Sequence, residues 1–240
     1  MGKRIRKHWK WLIPVILLLA LVIEFLIYAG VYYHADGTAL AALESNGTVA
    51  VIRTDFGWLF DGPSETEALI FYPGAKLEAA AYAPLLRELA GAGMDVLLVE
   101  MPLRFAFFGM DKAAPLLEQY DYVNWYVGGH SLGGAIAADY ACVHPERLSG
   151  VILLAAYPTK PMDDSLVLIS IYGSEDGLLN PGRVAAGRDY APKTYAEIVL
   201  EGGNHAQFGS YGPQTGDGEA VLSPEEQRRQ TVEAILTYKR

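Results

Sequence analysis

The chain has 240 residues, 51% of them hydrophobic, and a formal net charge of −9 at pH 7. That length holds one domain of ordinary size with a full core. Residues 1–34 carry five Lys or Arg against the single acid Glu24, leaving 14 basic and 27 acidic groups in the remainder. So acidic a domain argues against nucleic acid as a partner, the lone Cys142 excludes an intramolecular disulfide, and no Cys/His cluster has metal-site spacing, so no metal or other cofactor is expected.

The first element in chain order reads as a membrane anchor. After a basic N-terminus at 1–10 with Lys3, Arg4, Arg6, Lys7 and Lys10, residues 11–33 hold one charge, Glu24. At about 1.5 Å per helical residue this run crosses a bilayer core with some tilt. Glu24 costs roughly 2.5–3.5 kcal/mol there, which a dozen Leu, Ile, Val and Phe offset. Trp9, Trp11, Tyr28, Tyr32 and Tyr33 lie towards the ends, as interfacial aromatics do. A cleaved signal peptide shares the basic start, but the apolar run is too long for one and no small-x-small cleavage site follows. The basic side predicts a cytoplasmic N-terminus, and one span then places the rest of the chain outside the cell membrane.

Residues 34–47 form a connector, with a short helix conceivable around Leu40–Leu43, and the folded domain is expected over 48–240. Short apolar runs predict strands at 49–54, 57–60, 68–72, 96–100, 122–128, 150–155, 166–172 and 195–200. Helical patterns at 78–92, 112–119, 132–144, 181–190 and 224–238 alternate with them. This alternation is the signature of an α/β fold, a mostly parallel eight-stranded sheet with helices on both faces. Asn180 before Pro181 and Ser223 before Pro224 are N-cap signals, and Glu226 completes a capping-box spacing.

Gly129-His130-Ser131-Leu132-Gly133 lies between an expected strand and an Ala-rich helix. A serine on a sharp strand-to-helix turn projects above the sheet, and small residues two before and two after let strand and helix approach. Ser131 is therefore the candidate nucleophile. It needs a base oriented by an acid, and in this arrangement the chain order is Ser, acid, His. Of five histidines only His205 follows a late strand in a loop, at the same sheet edge as Ser131. Asp176, after the strand at 166–172, is the candidate acid, with Glu175 as the alternative; Asp163 and Asp164 precede that strand, at the wrong edge. The oxyanion hole needs two backbone donors: the N–H of Leu132, and one from the loop Pro73-Gly74-Ala75-Lys76, where Ala75 comes first and Lys76 second.

These features together resemble the α/β-hydrolase superfamily. The runs Tyr72-Pro73-Gly74-Ala75-Lys76-Leu77-Glu78-Ala79-Ala80-Ala81-Tyr82 and Gly202-Gly203-Asn204-His205-Ala206-Gln207-Phe208-Gly209 resemble its small bacterial fold-5 subgroup, over about residues 48–240. The resemblance implies an esterase-like hydrolase with Ser131, Asp176 and His205 in the triad roles. Pro73-Gly74 stands where many relatives have His-Gly, which bears on the second oxyanion donor. Only the short stretch Ala156 to Asp164 and one further residue separate two of the expected strands where lids are often inserted, so no large lid is expected. The aromatics of Met101–Gly109 have three open destinations: an acyl pocket, the core, or the bilayer surface. The expected activity is cleavage of a small-molecule acyl ester through an acyl-enzyme. Thioesterase or peptidase action by the same triad, or a non-catalytic binding domain, are the alternatives. Neither the natural substrate nor the oligomeric state is legible.

Overall fold

The computed structural model describes residues 2–239, with side chains from Leu12 onward; the basic cluster Lys3 to Lys10 and the aromatics Trp9 and Trp11 have side chains outside the described part. The chain divides into two compact units, Met1–Tyr32 and Tyr33–Arg240. The first is helix α1 (Gly2–Gly30), whose stretch Leu12–Gly30 has a mean hydropathy of 2.7 and is long and apolar enough to cross a membrane. Pro14 lies within it, a residue that membrane helices tolerate better than soluble ones.

The second unit opens with helix α2 (Gly37–Ala41), capped by Asp36, whose carboxylate accepts the Ala39 N–H at 2.9 Å. Eight strands follow: β1 (Ala50–Arg53), β2 (Gly57–Asp61), β3 (Glu67–Tyr72), β4 (Asp95–Val99), β5 (Asn124–His130), β6 (Gly150–Leu154), β7 (Val167–Gly173) and β8 (Thr194–Leu200). They form one sheet in the order β1-β2-β4-β3-β5-β6-β7-β8. The pairs from β4 through β3 to β8 are parallel. β1 and β2 make an antiparallel hairpin at one edge, and β2 runs antiparallel to β4. The sheet is therefore mixed, with its parallel majority as expected.

Helices α3 (Ala83–Gly91), α4 (Ala113–Gln119), α5 (Leu132–Val143), α6 (Pro181–Gly187) and α7 (Pro224–Tyr238) complete the unit. The period-2 alternation of the strands divides the core. Leu69, Phe71, Val96, Leu98, Ile152 and Ile169 face a cluster with α3 and α7. Their neighbours Ala68, Ile70, Leu97, Val99, Val151 and Leu168 face a second cluster with α4 and α5. Both faces of the central strands are covered, which is why these strands read as continuous apolar runs.

The helix expected at 78–92 is two elements, a 3-10 turn at Ala79–Tyr82 and then α3. Pro84 lies in the first turn of α3, the position where its missing N–H costs nothing. The helix expected at 181–190 likewise ends at Gly187 and continues as a 3-10 turn over Arg188–Tyr190. The Asn180 and Ser223 side chains accept the N–H groups of Arg183 (3.0 Å) and Glu226 (3.2 Å), as their positions before proline predicted. The connection from β6 to β7 contains no helix, so no large lid covers the sheet there. Because β3 to β8 are parallel, the loops after β3, β4, β5, β7 and β8 all gather at one edge of the sheet.

Candidate active site

Ser131 occupies the turn between β5 and α5 with φ 54° and ψ −125°. A non-glycine residue in that region stores about 1–3 kcal/mol of backbone strain. The surroundings hold it there: the Ser131 N–H donates to the Leu154 carbonyl at 2.9 Å, and its own carbonyl accepts the Ala135 N–H at 3.1 Å. Two glycines make the turn sterically feasible. A Cβ on Gly129 would lie 2.3 Å from the Tyr72 oxygen, and one on Gly133 would lie 2.2 Å from the same oxygen and 2.3 Å from that of Pro73. The loop after β3 is therefore pressed against the first turn of α5. The first N–H groups of that helix, Leu132 among them, have no acceptor within the helix and carry the positive end of its dipole.

His205 follows β8 and Asp176 follows β7. The His205 Nδ1–H donates to Asp176 Oδ2 at 2.8 Å, with side-chain exposures of 4% and 2%. The other carboxylate oxygen, Oδ1, accepts the N–H groups of Leu178 (2.9 Å) and Leu179 (2.8 Å), an Asx-type turn that fixes the carboxylate plane. With its proton on Nδ1, the imidazole has its Nε2 lone pair available as a base. Glu175, the alternative acid, is exposed, and among the described residues its carboxylate accepts only the Ser174 hydroxyl, at 3.0 Å. Ser131 and His205 line the same cavity of about 400 Å³, together with Leu132, Ala156, Leu179 and Arg183.

The loop after β3 separates its amides. The Gly74 N–H donates to the Tyr82 hydroxyl at 3.0 Å and the Lys76 N–H to the Arg104 carbonyl at 2.9 Å. Of the three consecutive amides, only that of Ala75 has no acceptor among the described residues. A donor already committed to a protein carbonyl is unsuited to an oxyanion, so Ala75 fits the second position better than Lys76.

Two residues at the site had no distinguishing signal in the sequence. His130, the variable residue of the Gly-x-Ser-x-Gly run, is fully buried; its Nδ1 is 2.8 Å from the Tyr82 hydroxyl and its ring centroid 4.4 Å from that of His205. Burial, and then the neighbouring His205, hold its imidazole well below the ordinary histidine value, so it is a neutral packing partner beneath His205. Asp217, in the turn-rich stretch Gly209–Gly218, accepts four backbone N–H groups: His205 (3.2 Å) and Gly218 (2.9 Å), together with Ala206 (2.8 Å) and Gly177 (3.1 Å). It thus ties the Asp176 loop to the His205 loop. A carboxylate recognised by main-chain donors leaves no motif, because any residue type supplies an N–H.

Of the aromatics after β4, Phe105 is buried, whereas Phe107 and Phe108 are exposed and none of the three lines the Ser131 cavity. Cys142 is half-buried, with burial pushing its thiol pKa up, which makes it a weak nucleophile. Among the described residues no group of three or more His, Cys, Asp and Glu is placed to hold a metal ion.

A family model described as the alpha/beta hydrolase family matches residues 68–229. No curated protein matches the sequence. Several solved structures share the fold. One is a membrane phospholipase A described as a bacterial virulence factor, with TM-score 0.59 and 14% identity, covering 95% of this chain and 98% of that one. Est1E from Butyrivibrio proteoclasticus has TM-score 0.56 and 13% identity, covering 80% and 99%. TT1662 from Thermus thermophilus has TM-score 0.56 and 15% identity, covering 79% and 98%.

Proposed function

The chain belongs to the alpha/beta hydrolase family, and from that membership we propose that it is a membrane-anchored serine hydrolase that cleaves acyl esters through an acyl-enzyme. The observation that carries this reading is the buried His205–Asp176 pair at 2.8 Å, with His205 opening on the cavity that Ser131 lines from its strained turn.

In this reading His205 Nε2 takes the Ser131 Oγ proton as the oxygen attacks the acyl carbonyl. Asp176 holds the imidazole in its tautomer and stabilises the cation that forms. The Leu132 and Ala75 N–H groups receive the developing oxyanion, where each donor is worth about 10²–10³ in turnover. His205 then gives its proton to the departing alcohol, and a water, activated by the same imidazole, hydrolyses the acyl-serine. The membrane phospholipase A of the same fold agrees with an acyl-ester substrate. Helix α1 would hold the domain at the cell membrane, with the basic N-terminus in the cytoplasm and the hydrolase domain outside.

The test is pre-steady-state hydrolysis of 4-nitrophenyl acyl esters by the full chain in detergent. A burst of nitrophenolate stoichiometric with enzyme is expected, lost in Ser131→Ala. Undiminished turnover by Ser131→Ala would remove the reading. Protease accessibility of a C-terminal tag on intact spheroplasts checks the orientation, and a protected tag would reverse it.

A further inference from the structure

The segment leading from α1 into the second unit is fastened at the catalytic edge of the sheet. The Tyr33 N–H donates to the Lys76 carbonyl at 2.8 Å, and the Tyr33 carbonyl accepts the Glu78 N–H at 3.0 Å, so Tyr33 pairs with Leu77 directly beyond the candidate oxyanion loop. Ala35 and Asp36 continue the attachment through Glu78 (3.0 Å) and the Ser210 carbonyl (2.9 Å). Only Val31 and Tyr32 separate Tyr33 from Gly30, the last residue of α1. Three Cα steps reach at most about 11 Å. Whatever direction α1 takes, Gly30 stays within that reach of Tyr33, whose partner Leu77 directly follows the candidate oxyanion loop.

That same edge carries exposed apolar side chains. Leu103 is 43% exposed, Phe107 45% and Phe108 49%, all in the loop after β4. This loop is tied to the oxyanion loop by the Lys76 N–H to Arg104 carbonyl bond, and its Ala106–Phe108 turn packs against α5, the helix that begins at the nucleophile. Leu103 and Arg104 have positive φ, 51° and 62°, so this loop presents its side chains from a strained backbone. Large apolar side chains grouped in water mark an interaction surface, and the two-residue tether names its occupant.

We propose that the catalytic edge of this domain lies on the lipid bilayer, with Leu103, Phe107 and Phe108 entering its interface, so that the site draws its acyl esters from membrane lipid. The inference rests on the membrane-anchored hydrolase reading and names its substrate source. A short tether keeps the surface at high effective concentration, and binding then scales with the apolar area inserted.

The full chain reconstituted in vesicles of phosphatidylcholine and phosphatidylglycerol gives the test. Two substrates are compared: water-soluble 4-nitrophenyl butyrate and a fluorogenic diacyl lipid held in the vesicle. Phe107→Ser with Phe108→Ser should lower turnover of the vesicle-borne lipid at least about tenfold, with soluble-ester turnover within about twofold of wild type. A glycine–serine insert between Val31 and Tyr32, which leaves the loop untouched, should act in the same direction. A third arm needs no activity: a fluorophore on Phe107→Cys in a Cys142→Ser background should be quenched by a headgroup-level lipid quencher. Full lipid turnover in both variants, or an unquenched probe, overturns the bilayer-facing edge while leaving the hydrolase reading intact. Absence of turnover on both substrates overturns the hydrolase reading, with the probe still reporting on the surface. A chain that does not stay with the vesicles overturns the membrane anchor and the bilayer-facing edge together.

Discussion

Replacing Asp217 by alanine should slow catalysis without touching any atom that meets the substrate. Its carboxylate accepts the N–H groups of Gly177, His205 and Ala206 at 3.1, 3.2 and 2.8 Å, joining the loops that carry Asp176 and His205. At about 1 kcal/mol net per bond, more for a charged acceptor, the three are worth roughly 3 kcal/mol together. Asp217 is half-buried, so water recovers part of this and about 2 kcal/mol remains against the productive loop arrangement. At 1.36 kcal/mol per tenfold, kcat should fall by about 30-fold. The assay is steady-state hydrolysis of 4-nitrophenyl butyrate by the full chain in detergent, with thermal unfolding alongside. KM should stay within about threefold, because the cavity around Leu132 and Ala156, which Asp217 does not line, is unaltered. Asp217→Asn keeps one oxygen acceptor and should recover part of kcat. A kcat within twofold of wild type in Asp217→Ala, or a loss falling entirely on KM, would refute the positioning argument.

Asp176→Asn should lower kcat by about 10³–10⁴, whereas Glu175→Gln should change it less than about threefold; the opposite ranking would move the acid by one residue. Gly133→Ala sets a Cβ 2.2 Å from the Tyr72 oxygen and 2.3 Å from that of Pro73. Backbone must move, so a stability loss of about 3 kcal/mol and a fall in Tm of roughly 6–12 °C are expected, and an unchanged Tm would contradict the close approach. Glu197 accepts bonds from Arg188, at 2.7 and 2.6 Å, and from the hydroxyls of Tyr172 and Tyr195, both at 2.7 Å. The Arg188 guanidinium, with the two phenols, lowers its pKa to about 2. A lowered folded-state pKa stabilises above the unfolded value near 4.5 and loses that contribution as pH falls towards 2. The stability advantage of wild type over Glu197→Gln, about 1 kcal/mol at neutral pH after screening at the exposed arginine and read as a difference in Tm, should therefore shrink below pH 5; an advantage that grew on acidification would contradict the assignment.

The elements were legible where one physical cause acted alone. The central strands are buried on both faces, so runs such as Val151–Leu154 stand out in composition, and proline after a capping residue marked the starts of α6 and α7. Boundaries shift where the main chain has other partners. The residue pattern starts a strand at Tyr122, yet β5 begins at Asn124, where the Val123 and Asn124 N–H groups both donate to the Thr66 carbonyl, at 3.0 and 2.8 Å. The residues proposed as the triad were legible because their spacing follows from strand, turn and chain order. The sequence put Ala75 ahead of Lys76 without a physical reason to separate them; what distinguishes them is the Arg104 carbonyl, a main-chain atom from another loop that takes the Lys76 N–H. His130 and Asp217 were hidden for the same reason: their importance comes from a ring and four amides that approach only in the folded chain.

The most direct test of the central claim is labelling of the full chain with a fluorophosphonate, followed by peptide mapping. Nucleophilic attack on phosphorus requires the same activated oxygen as attack on an acyl carbonyl. The account predicts one adduct, on Ser131, formed by wild type, strongly slowed in Asp176→Asn and absent in Ser131→Ala. An adduct on any other serine, or no adduct in a folded wild-type chain, would contradict Ser131 as a nucleophile activated by His205.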